Sequence, residues 1–170
     1  LIEGEWMKFE NLSLDDLWLY ESFHCDPQMM TYLGGPWPRE RLPEKLKRDV
    51  ATIEAGTGWI FKIISSEDSK RAVGSVCIWE HLRQGEIINE IGWMILPLFQ
   101  GRGLASAAVR AILDKARAEK RWGAHLHAFP ATANAASNAI CRKFAFSLVE
   151  EVDLEYAGHP LRCNHWRLDL

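Results

Sequence analysis

The sequence is short of the features that would set it apart from an ordinary folded protein. Its 170 residues include four cysteines, Cys25, Cys77, Cys141 and Cys163, and no two form a CxxC pair. That is too sparse for a disulfide framework and reads as reduced thiols in a cytoplasmic protein. Positive charge is not in excess. Twenty Lys and Arg against 23 Asp and Glu leave a net charge of −3, which argues against a strongly basic nucleic-acid surface larger than a local patch. The stretch from Gly123 to Cys141 holds no Asp, Glu, Lys or Arg, but it carries two histidines, a threonine, a serine and two asparagines, too many for a membrane span. No basic-then-apolar leader opens the sequence. With no repeat, low-complexity tract or Gly/Ser linker, the expectation is one domain over residues 1–170. What the chain does have is 48% hydrophobic residues, 25% charged residues and eight tryptophans, enough for a substantial core.

The pattern of elements is mixed α/β. Trp6 to Asn11 alternates weakly and reads as a first strand. Ser13 before Leu14-Asp15-Asp16 is a helix N-cap with acidic residues behind it, and a short helix should run to about Phe23. Asp26-Pro27 reads as the start of another short helix. Gly34 to Pro38 breaks the chain, and Leu42 to Ala55 is helical up to the stop at Gly56. Three apolar runs follow, Trp59–Ile64, Ala72–Trp79 and Ile87–Leu96, with a polar turn at Ser65–Arg71 between the first two. Leu104 to Lys120 is the clearest helix, with Leu104, Ala105, Ala108, Val109, Ile112, Leu113 and Ala116 on one face. A strand at Ala124–Phe129, a helix at Ala135–Phe144 and strands near Phe146–Tyr156 and Arg162–Leu168 complete the order.

The segment that carries chemistry is Glu90 to Ala105, EIGWMILPLFQGRGLA. A strand ends at Pro97, a glycine-containing loop follows, and a long helix begins. Such a loop turns backbone N–H groups toward one point, and the helix N-terminus adds about half a positive charge, so the place suits a phosphate or pyrophosphate. Gly101 and Gly103 let a ligand approach the backbone, and Arg102 adds a charge. No Gly-Lys-Ser/Thr follows, so this is not a P-loop, and it is not the GxGxxG fingerprint. Gln100-Gly-Arg-Gly-Leu-Ala105 resembles the signature of the GNAT acyl-CoA N-acyltransferases. The apolar strand before it, the amphipathic helix after it, and Asn134-Ala-Ala-Ser137 followed by Asn138 to Phe146 are similar to the same family. Within it, the chain looks most like the branch of ribosomal-protein N-terminal acetyltransferases.

The resemblance implies a central, mostly antiparallel sheet of six to seven strands with one splayed parallel pair and helices on both faces. It implies acetyl-CoA as donor and no metal. The pyrophosphate would lie on the backbone of Gln100, Gly101, Arg102, Gly103, Leu104 and Ala105, and the pantetheine arm along Met94 and Ile95. Asn134 would reach that arm, helped by Ser137 or Asn138; Asn134 also reads as a helix N-cap. Glu90 is the candidate general base, near the start of the cofactor strand, where a solvated strand-end glutamate is the alternative. An N–H near Ile95 would hold the oxyanion. Many relatives place a tyrosine acid where this chain has Cys141. The acid is then Cys141 or Ser137, unless Cys141 is simply a packed small residue. Ala145 stands where the family has glycine, so the turn before Phe146 is expected to differ.

The acceptor would be a primary amine, on a small molecule or a protein N-terminus, with neither nucleic acid nor membrane as partner. Relatives are often dimers, so a homodimer is an expectation. Two alternatives stay open, a succinyl-CoA-type acyltransferase and a non-catalytic acyl-CoA-binding module. His125 and His127 share a strand face with Cys163 or His165 nearby, but the spacing matches no zinc pattern and reads as structural or cleft histidines. Tyr32, Trp37, Trp79 and Trp166 are candidate cleft aromatics, with plain core packing the better reading of any single one.

Overall fold

The structure is a computed structural model and describes residues 3–4, 7–65 and 71–170, with the backbone alone at 3–4. Trp6 and most of the polar turn before Arg71 lie outside the described residues. The chain forms β1 (Glu3–Gly4), β2 (Met7–Asn11), α1 (Leu17–His24), α2 (Leu42–Glu54), β3 (Gly58–Ser65), β4 (Ala72–Arg83) and β5 (Glu86–Ile95). Then come α3 (Leu104–Glu119), β6 (His125–Ala128), α4 (Ala135–Lys143), β7 (Ser147–Tyr156) and β8 (His159–Asp169).

One eight-stranded sheet runs in the order β1-β2-β3-β4-β5-β6-β8-β7. The strand beyond the expected six to seven is the two-residue β1. Among the described residues every strand pairing is antiparallel except β5 with β6. On one face α3 presents Ala108, Val109, Ile112, Leu113 and Ala116 to Val76, Ile78, Ile91, Ile95, Leu126 and Leu168, the apolar stripe read from the sequence. Ile112 and Leu113 are almost wholly buried, worth roughly 1.5–3 kcal/mol each. On the other face, α1 and α2 pack Tyr20 and Leu46 over Ile60, with Cys77 at the edge of that cluster. No helix among the described residues is long and apolar enough to cross a membrane.

Two local expectations need correction. Asp26-Pro27 starts no helix. The Asp26 carboxylate accepts the Met29 N–H at 2.9 Å, and the chain continues as turns up to Gly34 and Gly35, both at positive φ. A side chain that bonds its own backbone competes with helix propagation. The turn before Phe146 keeps the left-handed form despite the alanine. Ala145 has φ 61°, and Phe146 N–H donates to Cys141 O at 3.0 Å. A Cβ in that region is unfavourable. Ala145→Gly should therefore stabilise the fold by about 0.5–1 kcal/mol in denaturant unfolding, the gain being moderated by the freer unfolded chain.

Candidate active site

β5 is bound on one side only for most of its length. It pairs with β4 from Arg83↔Glu86 to Gly74↔Ile95, and Leu96 N–H still donates to Val73 O at 2.9 Å. Toward β6 its register holds a single pair, Glu90 opposite His127. Beyond Glu90 the two parallel strands diverge, so the β6-facing edge of β5 through Met94 and Ile95 is open. An extended ligand can add itself to such an edge.

The opening leads to the glycine loop. Gln100 turns its side chain back, and its Nε2 donates to Ile95 O at 2.8 Å, fastening the loop to the strand end. Gly101 and Gly103 have φ of 74° and 79°, and a Cβ on either would meet nothing within 4 Å. Space above the loop is therefore open, and glycine is required by the backbone conformation. Gly103 is the N-cap of α3 and offers no side-chain oxygen. The N–H groups of Gly101, Gly103, Leu104, Ala105 and Ser106 donate to no acceptor among the described residues. The contrast with α4 is direct, because there Asn134 Oδ1 caps Ser137 N–H at 3.1 Å. An uncapped row of N–H groups at the start of a 16-residue helix is a seat for an anion. Beside it, Gly103, Ser106, Arg110, Asp114 and Lys143 line a cavity of about 400 Å³ that brings two further cations. Arg102 stacks over the Phe99 ring, with its guanidinium carbon 5.7 Å from the centroid.

Glu90 stands at the mouth of the divergence. Ile91 and Ile95 point into the α3 core, so Glu90, Gly92 and Met94 point toward α1 and α2. Its side chain is 18% exposed and its pKa is pushed up to about 8 by burial, with Arg83 pulling the other way. The alternative of a freely solvated strand-end glutamate does not fit that environment. A group titrating there is suited to take a proton from an amine near neutral pH. Trp79 is its cross-strand partner, and the indole lies beside Gly92.

The four residues proposed around α4 divide. Asn134 caps the helix and leaves its Nδ2 without a protein partner among the described residues. Ser137 is half-buried in the first turn. Asn138 is not available to a ligand. Its Nδ2 donates to Ala131 O at 2.9 Å and Asn134 O at 2.8 Å, and its Oδ1 accepts from Asn164 Nδ2 and Trp166 Nε1, both at 2.8 Å. Every hydrogen-bonding position of the amide is used. Cys141 is fully buried in the core under α4, and burial pushes its thiol up to about 12. It packs as a small apolar residue and is too remote from solvent or ligand to act as an acid. Trp166, bonded to Asn138, is likewise a core residue rather than a cleft aromatic.

Sequence reading missed a second set of groups on the α1–α2 face. Tyr20 OH donates to Asp49, and Lys45 Nζ lies 2.8 Å from the same carboxylate. An aromatic row runs from Tyr20 to His24 (5.4 Å between centroids), Trp37 (5.2 Å) and Tyr156 (5.9 Å). Burial lowers His24 to about 4 and keeps it neutral, and raises Tyr156 to about 12. Of the expected aromatics, Trp37 belongs to this row while Tyr32 is exposed outside it. No sequence motif marks these residues, because α1, α2, a loop and β7 bring them together. His125, His127 and His165 lie on the paired strands β6 and β8. His127 Nδ1 meets His165 Nε2 at 2.8 Å, and His125 Nδ1 meets Asp169 Oδ1 at 2.8 Å. Among the described residues no three His, Cys, Asp or Glu side chains converge as metal ligands would.

A family model described as an acetyltransferase (GNAT) domain matches residues 7–147. The chain belongs to the GNAT acetyltransferase family. Solved structures agree in fold across nearly the whole chain. An acetyltransferase from Salmonella typhimurium that modifies the N-terminal serine of a 50S ribosomal subunit protein superposes with a TM-score of 0.79 at 15% identity, over 99% of this chain and 98% of that one. A GNAT acetyltransferase from Bacillus anthracis gives 0.78 at 19% identity, over 99% and 97%. Spermidine N-acetyltransferase from Vibrio cholerae, solved with CoA and spermine, gives 0.78 at 16%, over 98% and 96%. No curated protein sequence matches.

Proposed function

We propose that this GNAT enzyme transfers an acetyl group from acetyl-CoA to a primary amine, by direct attack in a ternary complex. The reading is carried by the uncapped N–H row at the start of α3, which continues into the open edge of β5 with Glu90 at its far end. The N–H groups of Gly101 and Gly103 to Ser106 receive the pyrophosphate. Arg110 and Lys143 lie close enough to that seat to meet the 3′-phosphate. The open edge around Met94 and Ile95 aligns the pantetheine arm, with Asn134 Nδ2 available from the other side, and an N–H near Ile95 supports the oxyanion. Acetyl-CoA supplies the activated acyl carbon as its thioester. Glu90 removes a proton from the acceptor, and the Tyr20–His24–Trp37–Tyr156 row forms the wall along which the amine enters. With Cys141 in the core, Ser137 or solvent is left to protonate the departing thiolate. The unpaired, reduced cysteines fit the cytoplasm.

Titration calorimetry with acetyl-CoA, coenzyme A and succinyl-CoA, without an acceptor, tests this directly. Micromolar binding of acetyl-CoA is the expected result. Preference for succinyl-CoA would change the donor, and no binding to any of them would reduce the glycine loop to a turn. Arg110→Ala and Lys143→Ala should each weaken coenzyme A by roughly two- to fivefold at low salt, as exposed charge pairs do. They should leave dephospho-coenzyme A nearly unaffected. Equal losses for both ligands would move the 3′-phosphate away from this cavity.

A further inference from the structure

A base that removes a proton from the acceptor has to be emptied once per turnover. An acceptor arriving as an ammonium gives one proton to Glu90. The neutral nitrogen then bonds the acetyl carbon, the carbon–sulfur bond breaks, and the second nitrogen proton ends on the coenzyme A thiolate. Amide and free thiol are complete at that point, and the first proton still sits on Glu90. Glu90 is largely enclosed, so its way out matters.

Among the described residues, the Glu90 carboxylate makes one close contact with a basic nitrogen, His81 Nδ1 at 3.6 Å from Oε2. A small side-chain rotation or one bridging water closes that gap. His81 lies on β4, diagonal to Glu90 and on the same face as Glu90's partner Trp79. It is exposed for a structural reason. The β3 register ends at Gly58↔Trp79 and the last bond from that side is Glu80 N–H to Thr57 O at 2.9 Å, so the β4–β5 ribbon overhangs the sheet from His81 onward. The imidazole is 46% exposed against 18% for the Glu90 side chain. One end of the pair therefore faces the cleft and the other faces water.

We propose that His81 carries the proton from Glu90 to solvent and so resets the base after each acetyl transfer. This rests on Glu90 being the base of the proposed reaction. The other titratable groups near Glu90 do not serve. Cys77 on β4 and Tyr156 on β7 are each pushed up to about 12, and Cys163 on β8 is buried and raised. Arg83 on β4 leans on Glu150 at 3.5 Å. His127 is the parallel neighbour of Glu90 but bonds His165 instead. Burial and Arg83 hold His81 below its ordinary value of 6.5, so near pH 7 it waits neutral, ready to accept. Its protonated form is then a minority beside a carboxyl titrating at about 8, which suits a transient carrier that must release the proton again.

The test needs no acceptor. The carboxylic-acid stretch of Glu90 is identified by its loss in Glu90→Gln and followed by infrared spectroscopy after a rapid pH jump. In His81→Ala and His81→Gln its relaxation should slow about tenfold, and added imidazole should restore it, more so for the alanine variant. A structural or purely electrostatic role for His81 would shift the Glu90 titration midpoint without imidazole rescue. Unchanged relaxation, or slowing that imidazole does not relieve, overturns the proposal. Turnover with acetyl-CoA and either spermine or a serine-initiated peptide adds a second readout. There the variants should show a kcat that rises with buffer concentration while the wild type does not. If neither amine is acetylated by the wild type, the acceptor class is wrong while the infrared result still decides on His81.

Discussion

Glu90→Gln is expected to lower turnover by about 10²-fold while acetyl-CoA affinity stays within about twofold. Gln keeps the size and the hydrogen-bonding shape but cannot take a proton. The pH behaviour is as telling as the loss. With its carboxyl pushed up to about 8, the wild type should gain kcat/KM as pH rises toward and through that value. In the variant that limb should vanish, leaving only the acceptor's own ionisation. Stability should move the other way. Between about pH 4.5 and 8 the folded protein holds a proton on Glu90 that the unfolded chain has released. More protons bound when folded means that the unfolding free energy falls as pH rises across this window. Gln has no such cost, so the variant should melt progressively higher than the wild type as pH rises from about 4.5 to 8, a trade of stability for function. Equal melting temperatures across that range would mean that Glu90 is solvated and ordinary. Unchanged turnover with a competent acceptor would remove it from the chemistry.

How much of this could be read from the sequence depends on whether the information is local. The glycine loop was legible because its parts are adjacent: an apolar strand, Gly101 and Gly103, and a long amphipathic helix. Glu90 was readable as a candidate because it lies on that same strand. The helix α4 was harder. Asn138 and Cys141 are three residues apart and share the inward face, so a polar and a reactive residue both turned out to belong to the core. Spacing gives that phase, but which face is inward depends on β8, whose Asn164 and Trp166 fill the amide. His81 was invisible for another reason. The apolar pattern stops at Trp79 and resumes at Ile87, so the residues between read as connection. Gln84 and Gly85, both at positive φ, make a two-residue turn, and that turn fixes Trp79 opposite Glu90 and His81 beside it. The row from Tyr20 to Tyr156 had no local trace, since it is assembled across more than a hundred residues.

Asn138→Ala should be severely damaging although it lies outside the chemistry, costing roughly 3–5 kcal/mol and lowering the melting temperature by about 10 °C. The amide joins three parts of the chain. It holds the Ala131 and Asn134 carbonyls of the loop before α4, and it accepts from Asn164 and Trp166 on β8. Alanine strands the indole N–H of Trp166, which is only 5% exposed, in a place where water cannot replace the lost acceptor. Against a total stability of about 5–15 kcal/mol that is a large fraction. The consequence should reach the cofactor edge as well. Asn134 and Ser137 sit on the loop and first turn that Asn138 anchors, so acetyl-CoA affinity should fall along with stability. Asn134→Ala makes the comparison. It removes a cap worth about 1 kcal/mol and leaves the buried network intact, so it should affect affinity more than melting. If Asn138→Ala instead lowered affinity with no loss of stability, the side chain would be a ligand contact after all and the buried network only incidental.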